Sequence, residues 1–147
     1  MDNVMSVKQI SVFVENKQGA LLDITTRLSQ HQINIRAVSL ADTTRFGIFR
    51  LIVDKPDECE KALREEGFTV SITNVLVVKL QDRPGGLSEA VKILSEHGIN
   101  IDYLYAFITH AINDTCVIVR VGDIEFAEKV LMDNGFTLFS DEDILKI

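Results

Sequence analysis

At 147 residues, 46% hydrophobic and 25% charged, the chain suits one ordinary globular domain or two small ones. Eight glycines and two prolines exclude a collagenous, proline-rich or long disordered chain. A net charge of −7 disfavours nucleic acid phosphates and anionic membrane surfaces as partners. Cys59 and Cys116 are too few and too isolated for a disulfide framework or a thiolate metal site, and unpaired cysteines fit a reducing compartment, so the expected location is the cytoplasm. The first residues carry acidic Asp2 and no apolar signal core, and apolar runs such as 48–53 fall far short of the ~20 residues a membrane helix needs. Neither secretion nor membrane insertion is expected.

Ile10, Val12 and Val14 alternate and predict a strand; Leu21, Ile24 and Leu28, at i, i+3 and i+7, predict one face of a helix. Two strands over 33–41 and 46–53 follow, then a helix over 57–66 with Cys59, Ala62 and Leu63 inward, closed by Gly67, and a short strand over 69–72. The pattern then repeats. Leu76, Val78 and Leu80 alternate, Leu87, Ala90, Val91 and Leu94 form a helix face, and strands are expected over 99–108 and 115–121. A last helix over 124–134 turns Phe126, Val130 and Leu131 inward, ends at Gly135, and leads to a strand over 137–139.

The repetition extends to residue identities. Shifting the chain by 66 residues superposes Val12 on Val78, Gly19 on Gly85, Leu21 on Leu87, Leu28 on Leu94, Ser29 on Ser95, His31 on His97, and Ile33-Asn34-Ile35 on Ile99-Asn100-Ile101. Beyond the second hairpin the shift is 68, and Gly67-Phe68-Thr69 meets Gly135-Phe136-Thr137, which places two extra residues in the loop before Cys116. The expected domains are therefore 1–72 and 73–147, joined without a Gly, Ser or Pro linker and so packed together. The order βαββαβ in each predicts an α+β fold: two tandem ferredoxin-like units, each an antiparallel four-stranded sheet with two helices on one face. That fold by itself settles no function.

The chemistry-bearing segments join the first strand of each copy to its first helix. They read Asn16, Lys17, Gln18, Gly19, Ala20, Leu21 and Asp82, Arg83, Pro84, Gly85, Gly86, Leu87. An Asp or Asn followed three residues later by Gly, and then by a helix, makes a tight turn that presents backbone N–H groups at a helix N-terminus. Glycine lets a ligand approach the backbone, the helix dipole favours a carboxylate, and the Asn16 or Asp82 side chain can accept from an ammonium group.

These residues resemble the ACT domain, an amino-acid-sensing module attached to many enzymes of amino-acid metabolism. The βαββαβ unit with Asp/Asn-x-x-Gly-x-Leu after strand one and Asn-Ile opening strand two is matched by Asn16, Gly19, Leu21, Asn34 and Ile35, and again by Asp82, Pro84, Gly85, Leu87, Asn100 and Ile101. The first copy departs from the family at Gln18, where Pro is usual. The resemblance implies a ligand held between two domains, by the loop of one and the second strand of its neighbour. It points to residues 16–21 and 82–87 and to the segments from Asn34-Ile35 and Asn100-Ile101. The implied function is a non-catalytic sensor that binds a free amino acid, pairs as a homodimer and regulates an enzyme of amino-acid metabolism in trans, with no cofactor. The first copy is also similar to the opening of acetolactate synthase regulatory subunits, which implies an alternative: a ligand-independent regulatory or assembly subunit.

Other readings have weaker support. His31 and His97 fall at the ends of the first helices, where a cation suits the dipole, and they lack the companions a metal site needs. His110 falls in the loop with the insertion and reads as solvated. Asn34 and Asn100 read, on their own, as turn residues whose side chains cap the helix exit. Tyr103, Tyr105 and Phe107 alternate with Leu104, Ala106 and Ile108, so both faces of that strand are expected to be covered, by a dimer or domain contact or as a wall for a ligand. An RNA-binding sheet would need aromatics two apart, whereas Phe46 and Phe49 are three apart. A Cys-x-x-Cys metal loop is absent, Arg83 supplies only half of an acylphosphatase-like pair, and no nucleophile–base or paired-carboxylate constellation emerges.

Overall fold

Ten residues with apolar positions on alternate sides extend as β1 (Ser6–Glu15). They open the computed structural model, whose described residues are 5–42, 45–108 and 115–145, without the side chains of Asp42, Phe107 and Ile108. The chain divides into two units between Thr73 and Asn74, with the residues up to Val7 grouped with the second.

In the first unit β1 is followed by α1 (Ala20–Gln30), β2 (Ile35–Asp42), β3 (Phe46–Val53), α2 (Pro56–Glu65) and the opening of β4 (Thr69–Leu80). The strands lie in the order β2-β3-β1-β4. Antiparallel register pairs Ile10 with Leu51, Val12 with Phe49 and Val14 with Gly47, which sets the apolar members on one face. Ile24 and Leu28 of α1 and Cys59 and Leu63 of α2 pack there, and the cluster also holds Val53 and Val70. Each such large side chain stabilises by about 1.5–3 kcal/mol when buried, so both helices are held by their apolar stripes rather than by local propensity. Gly67, at φ +89°, ends α2: its N–H donates to the Arg64 carbonyl (3.0 Å) and that of Phe68 to Leu63 (3.1 Å).

The second unit repeats this plan with the rest of β4, α3 (Gly86–Glu96), β5 (Ile101–Ile108), β6 (Thr115–Val121), α4 (Ile124–Asp133) and β7 (Leu138–Phe139). Its strands run β4-β6-β5, with β7 also on β4. Leu76, Val78, Leu80, Val117, Val119 and Val121 meet Ala90 and Leu94 of α3 and Ala127 and Leu131 of α4. Two more residues separate Ile108 from Thr115 than separate Asp42 from Gly47, which accounts for the change in repeat offset; that loop, with His110, lies outside the described residues.

Several expectations are corrected. Phe126 is exposed at 43%, and Ala127, wholly buried, takes the inward place; the Phe126 ring stands edge-on to His97 instead, 6.5 Å between centroids. Leu21, Leu87 and Val91 are exposed too, because α1 and α3 bury the narrower stripes Ile24/Leu28 and Ala90/Leu94. The final strand of the first copy and the opening strand of the second are one continuous β4. Strands β2 and β5 begin at Ile35 and Ile101, because Ile33 and Ile99 instead donate their N–H groups back to Leu28 and Leu94 in the helix-ending turns. Those backbone bonds close the helices: the Asn34 N–H donates to the Asp54 carboxylate (2.9 Å) while its carbonyl accepts from the Asp54 N–H (3.1 Å), and Asn100 Nδ2 donates to Asp102 Oδ1 (3.3 Å) rather than to the helix end. A final short helix, α5 (Asp141–Leu145), was not anticipated. Its sequence signal is Ser140 three residues before Asp143, whose carboxylate accepts from the Ser140 N–H (2.8 Å) and hydroxyl (3.1 Å).

Candidate functional site

Both glycine loops adopt one conformation. Gly19 and Gly85 are the N-caps of α1 and α3, at φ +89° and +88°, a left-handed geometry that other residues enter at a cost of about 1–2 kcal/mol. Gln18 in place of Pro leaves this unchanged. Neither helix has a side-chain cap; the first bonds to the cap carbonyls come from Asp23 and Glu89 (3.0 Å each). The amides one and two residues before them, at Leu21 and Leu22 and at Leu87 and Ser88, are the free first-turn donors of an α-helix.

In the first unit the loop borders a cleft of about 90 Å³ lined by Val14, Glu15, Asn16, Lys17, Ala20, Leu21, Leu40 and Gly47. The sequence anticipated Asn16, Lys17, Ala20 and Leu21; Val14, Glu15, Leu40 and Gly47 come from β1, β2 and β3. The available signal was Gly47, since a glycine inside a strand marks close approach. Here a Cβ would stand 3.2 Å from Leu40 Cδ1 and 3.3 Å from Val14 Cγ2. Gln18 and Gly19 complete the turn and are exposed. Lys17 Nζ lies 3.5 Å from Glu15, and Arg27 joins Asp23 (3.4 Å) to Glu66 (3.1 Å), exposed pairs worth little individually.

Asn34 and Ile35 lie beyond the opposite end of α1, along a separate surface depression with Thr25, Ser29 and Gln32. The loop and the start of strand two are thus not brought together within this unit. His31 and His97 sit where the dipole reading put them: each Nδ1 faces the carbonyl four residues earlier, Arg27 (3.0 Å) and Ile93 (2.9 Å).

In the second unit Asp82, Arg83, Pro84, Gly85 and Leu87 are exposed and Gly86 is buried; Asn100 is exposed and Ile101 half-buried. Arg83 folds across its own loop. Its Nε donates to Gln81 Oε1 (2.6 Å), Nη1 to the Pro84 carbonyl (3.3 Å), and Nη2 to Glu89. Tyr103 and Tyr105 are half-buried while Leu104 and Ala106 on the other face are exposed; the side chains of Phe107 and Ile108 lie outside the description.

Among the described residues no three His, Cys, Asp or Glu side chains are grouped to hold a metal ion, and no helix is long and apolar enough to cross a membrane.

Two βαββαβ units, each with a left-handed glycine opening its first helix, define a tandem of ferredoxin-like domains. The chain belongs to the ACT domain pair family, whose model matches residues 5–147. A protein from Bacteroides thetaiotaomicron, BT0572, is 35% identical, with 99% of this chain and 100% of that one covered, at a TM-score of 0.92. The ligand-free regulatory subunit of aspartate kinase from Thermus thermophilus shares the fold at 15% identity, covering 88% of this chain and 91% of that one, TM-score 0.63. The aspartokinase alpha and beta subunits do so at 20% identity, 86% and 90% coverage, TM-score 0.58. No curated protein sequence matches the chain.

Proposed function

We propose that this ACT domain pair is a non-catalytic cytoplasmic sensor that binds a free amino acid at its glycine loops and regulates an enzyme of amino-acid metabolism in trans. The observation that carries the reading is the cleft beside Gly19, where the first-turn amides of α1 stand next to Gly47 and the Leu40 and Val14 side chains packed over it. A ligand carboxylate fits the amides, where the dipole adds roughly 0.3–1 kcal/mol. Its ammonium group fits the oxygen of Asn16, or Asp82 in the second loop. The regulatory subunit of aspartate kinase named among the structural neighbours illustrates the arrangement meant, a regulatory chain that serves an enzyme.

The cleft opens at β2, which among the described residues has a neighbouring strand on one side only, and there Val38 and Leu40 are half exposed. A homodimer formed along that edge would cover them and bring a second chain to the ligand. An amino acid of about ten non-hydrogen atoms, at roughly 0.5–0.8 kcal/mol each, reaches a Kd of about 10⁻⁴ to 10⁻⁶ M. Couplings of about 1–3 kcal/mol between ligand and partner would then suffice to switch an enzyme.

Thermal unfolding against each of the twenty amino acids tests the reading. Ligand at 100 times its Kd adds about 2.7 kcal/mol, and a stereoselective hit weakened by Asn16→Ala or Asp82→Ala is the expected result. Silence at millimolar concentrations for all twenty would leave the second reading, a ligand-independent assembly subunit docking through the exposed Val38 and Leu40.

A further inference from the structure

We infer that residues 5–7 are a strap that takes over the role of the shortened last strand in the second domain, and that this segment controls how firmly α4 and β7 close. The inference goes beyond the sensor reading and holds or fails without it.

The two units end differently. In the first, the opening of β4 is the closing strand, and it sets both Val70 and Ile72 against the core. The shift of 68 brings Leu138 and Ser140 to these places in the second unit. Leu138 enters its core, but Ser140 is polar and leads into α5, so β7 stops after two residues. The second core therefore lacks an apolar counterpart of Ile72. Met5 supplies one: it packs on that core together with Ile101 and Phe136, the counterparts of Ile35 and Phe68. Val7 is 1% exposed, and the residues up to it group with the second unit, while those from Lys8 to Thr73 form the first.

The supporting helix changes in step. In the first unit Glu60 of α2 pairs with Arg64 (3.1 Å), whose Nη2 donates to the Val70 carbonyl (2.6 Å) and ties the closing strand to the helix. The counterpart of Arg64 is Met132, which has no donor to offer. Glu128, the counterpart of Glu60, instead accepts from the backbone N–H of Met5, 123 residues away in the chain. The same carboxylate position thus anchors the closing segment of both units, and in the second that segment is borrowed.

The repeat explains the borrowing. The shift of 66 that superposes Val12 on Val78 carries Met5 onto Ser71 and Val7 onto Thr73, within the part of β4 that closes the first unit. β1, with the residue before it, and β4 are therefore equivalent: the early part of each closes one unit, and the later part opens the other. A disturbance at residues 5–7 reaches α4 and β7 before it reaches α1, although α1 is far nearer in sequence.

Hydrogen exchange followed by mass spectrometry, on the whole chain and on a variant lacking residues 1–7, tests this. Exchange over 124–139 is expected to accelerate about tenfold in the variant, while 20–30 and 46–53 stay within about twofold. If that variant does not fold, Met5→Ser and Glu128→Ala in the intact chain should each loosen the same segments of the second unit, and Glu128→Gln, which keeps an acceptor oxygen, should restore them. Unchanged exchange over 124–139, equal acceleration in both units, or acceleration confined to the first would overturn the inference.

Discussion

Gln32 holds φ at +56° at the end of α1, where the second copy has Gly98 at +71°. The turn is needed in both, since Ile33 and Ile99 donate back to Leu28 and Leu94 (3.0 and 2.9 Å). A side chain in that geometry costs about 1–2 kcal/mol, partly offset by glycine's larger freedom when unfolded. Gln32→Gly is therefore expected to stabilise the protein by about 0.5–1 kcal/mol in urea unfolding. Cys59 shows the opposite economy. Burial in the first core, with Asp54 and Glu60 adding to it, pushes its thiol from 9.0 up to about 12. Above pH 9 the unfolded chain loses that proton while the native one keeps it, so unfolding is favoured. The stability from the neutral thiol is thus complete below pH 9 and drains away as pH rises toward 12. Native protein at pH 8 should resist a thiol reagent at Cys59 and react fully in denaturant; rapid native labelling would contradict its burial. At this scale the sequence was legible where one residue type has one use, as at Gly19 and Gly85. It misled at Phe126, because hydrophobicity alone does not say whether a ring or Ala127 faces the sheet.

Elements were legible through their periods. Strands β3 and β6 fall at their expected bounds, and the αL glycines closing α2 and α4 were readable as stops. What differs between equivalent elements comes from neighbours. A Cβ on Gly67 meets nothing within 4 Å, so Gly67→Ala should cost only the backbone strain, about 1 kcal/mol. Gly86→Ala should cost clearly more, because its Cβ would collide with the Gln81 carbonyl, although Ala20 occupies the same place in the repeat. Paired urea titrations of the two variants would show it, and equal losses would mean that the Gln81 carbonyl yields to the added methyl group. The fusion of two predicted strands into β4 was not legible, since the alternation over 69–80 is broken and only hydrogen-bonding partners decide that extended segments are continuous.

The molecule as a whole is a duplication whose two cores share no residue. Its acidic surface, net −7, gives no basis for binding polyanions. If the apolar β2 edge seats a second copy, Val38→Lys should convert a dimer to a monomer in sedimentation and weaken amino-acid binding with it, while unfolding changes by less than about 0.5 kcal/mol. A dimer that survives this charge would place the interface elsewhere. The sequence by itself determined the two βαββαβ units, their common origin and the glycine turns at the helix starts, because hydrophobic period, internal repetition and the demand for positive φ are local properties. Only the tertiary structure decided which distant side chains stand beside each turn. Gly47 and Leu40 lie 19 to 28 residues from Gly19 and Leu21 in the chain, and strand register alone brings them to that loop, as it sets Thr115 and Ala106 in the other copy.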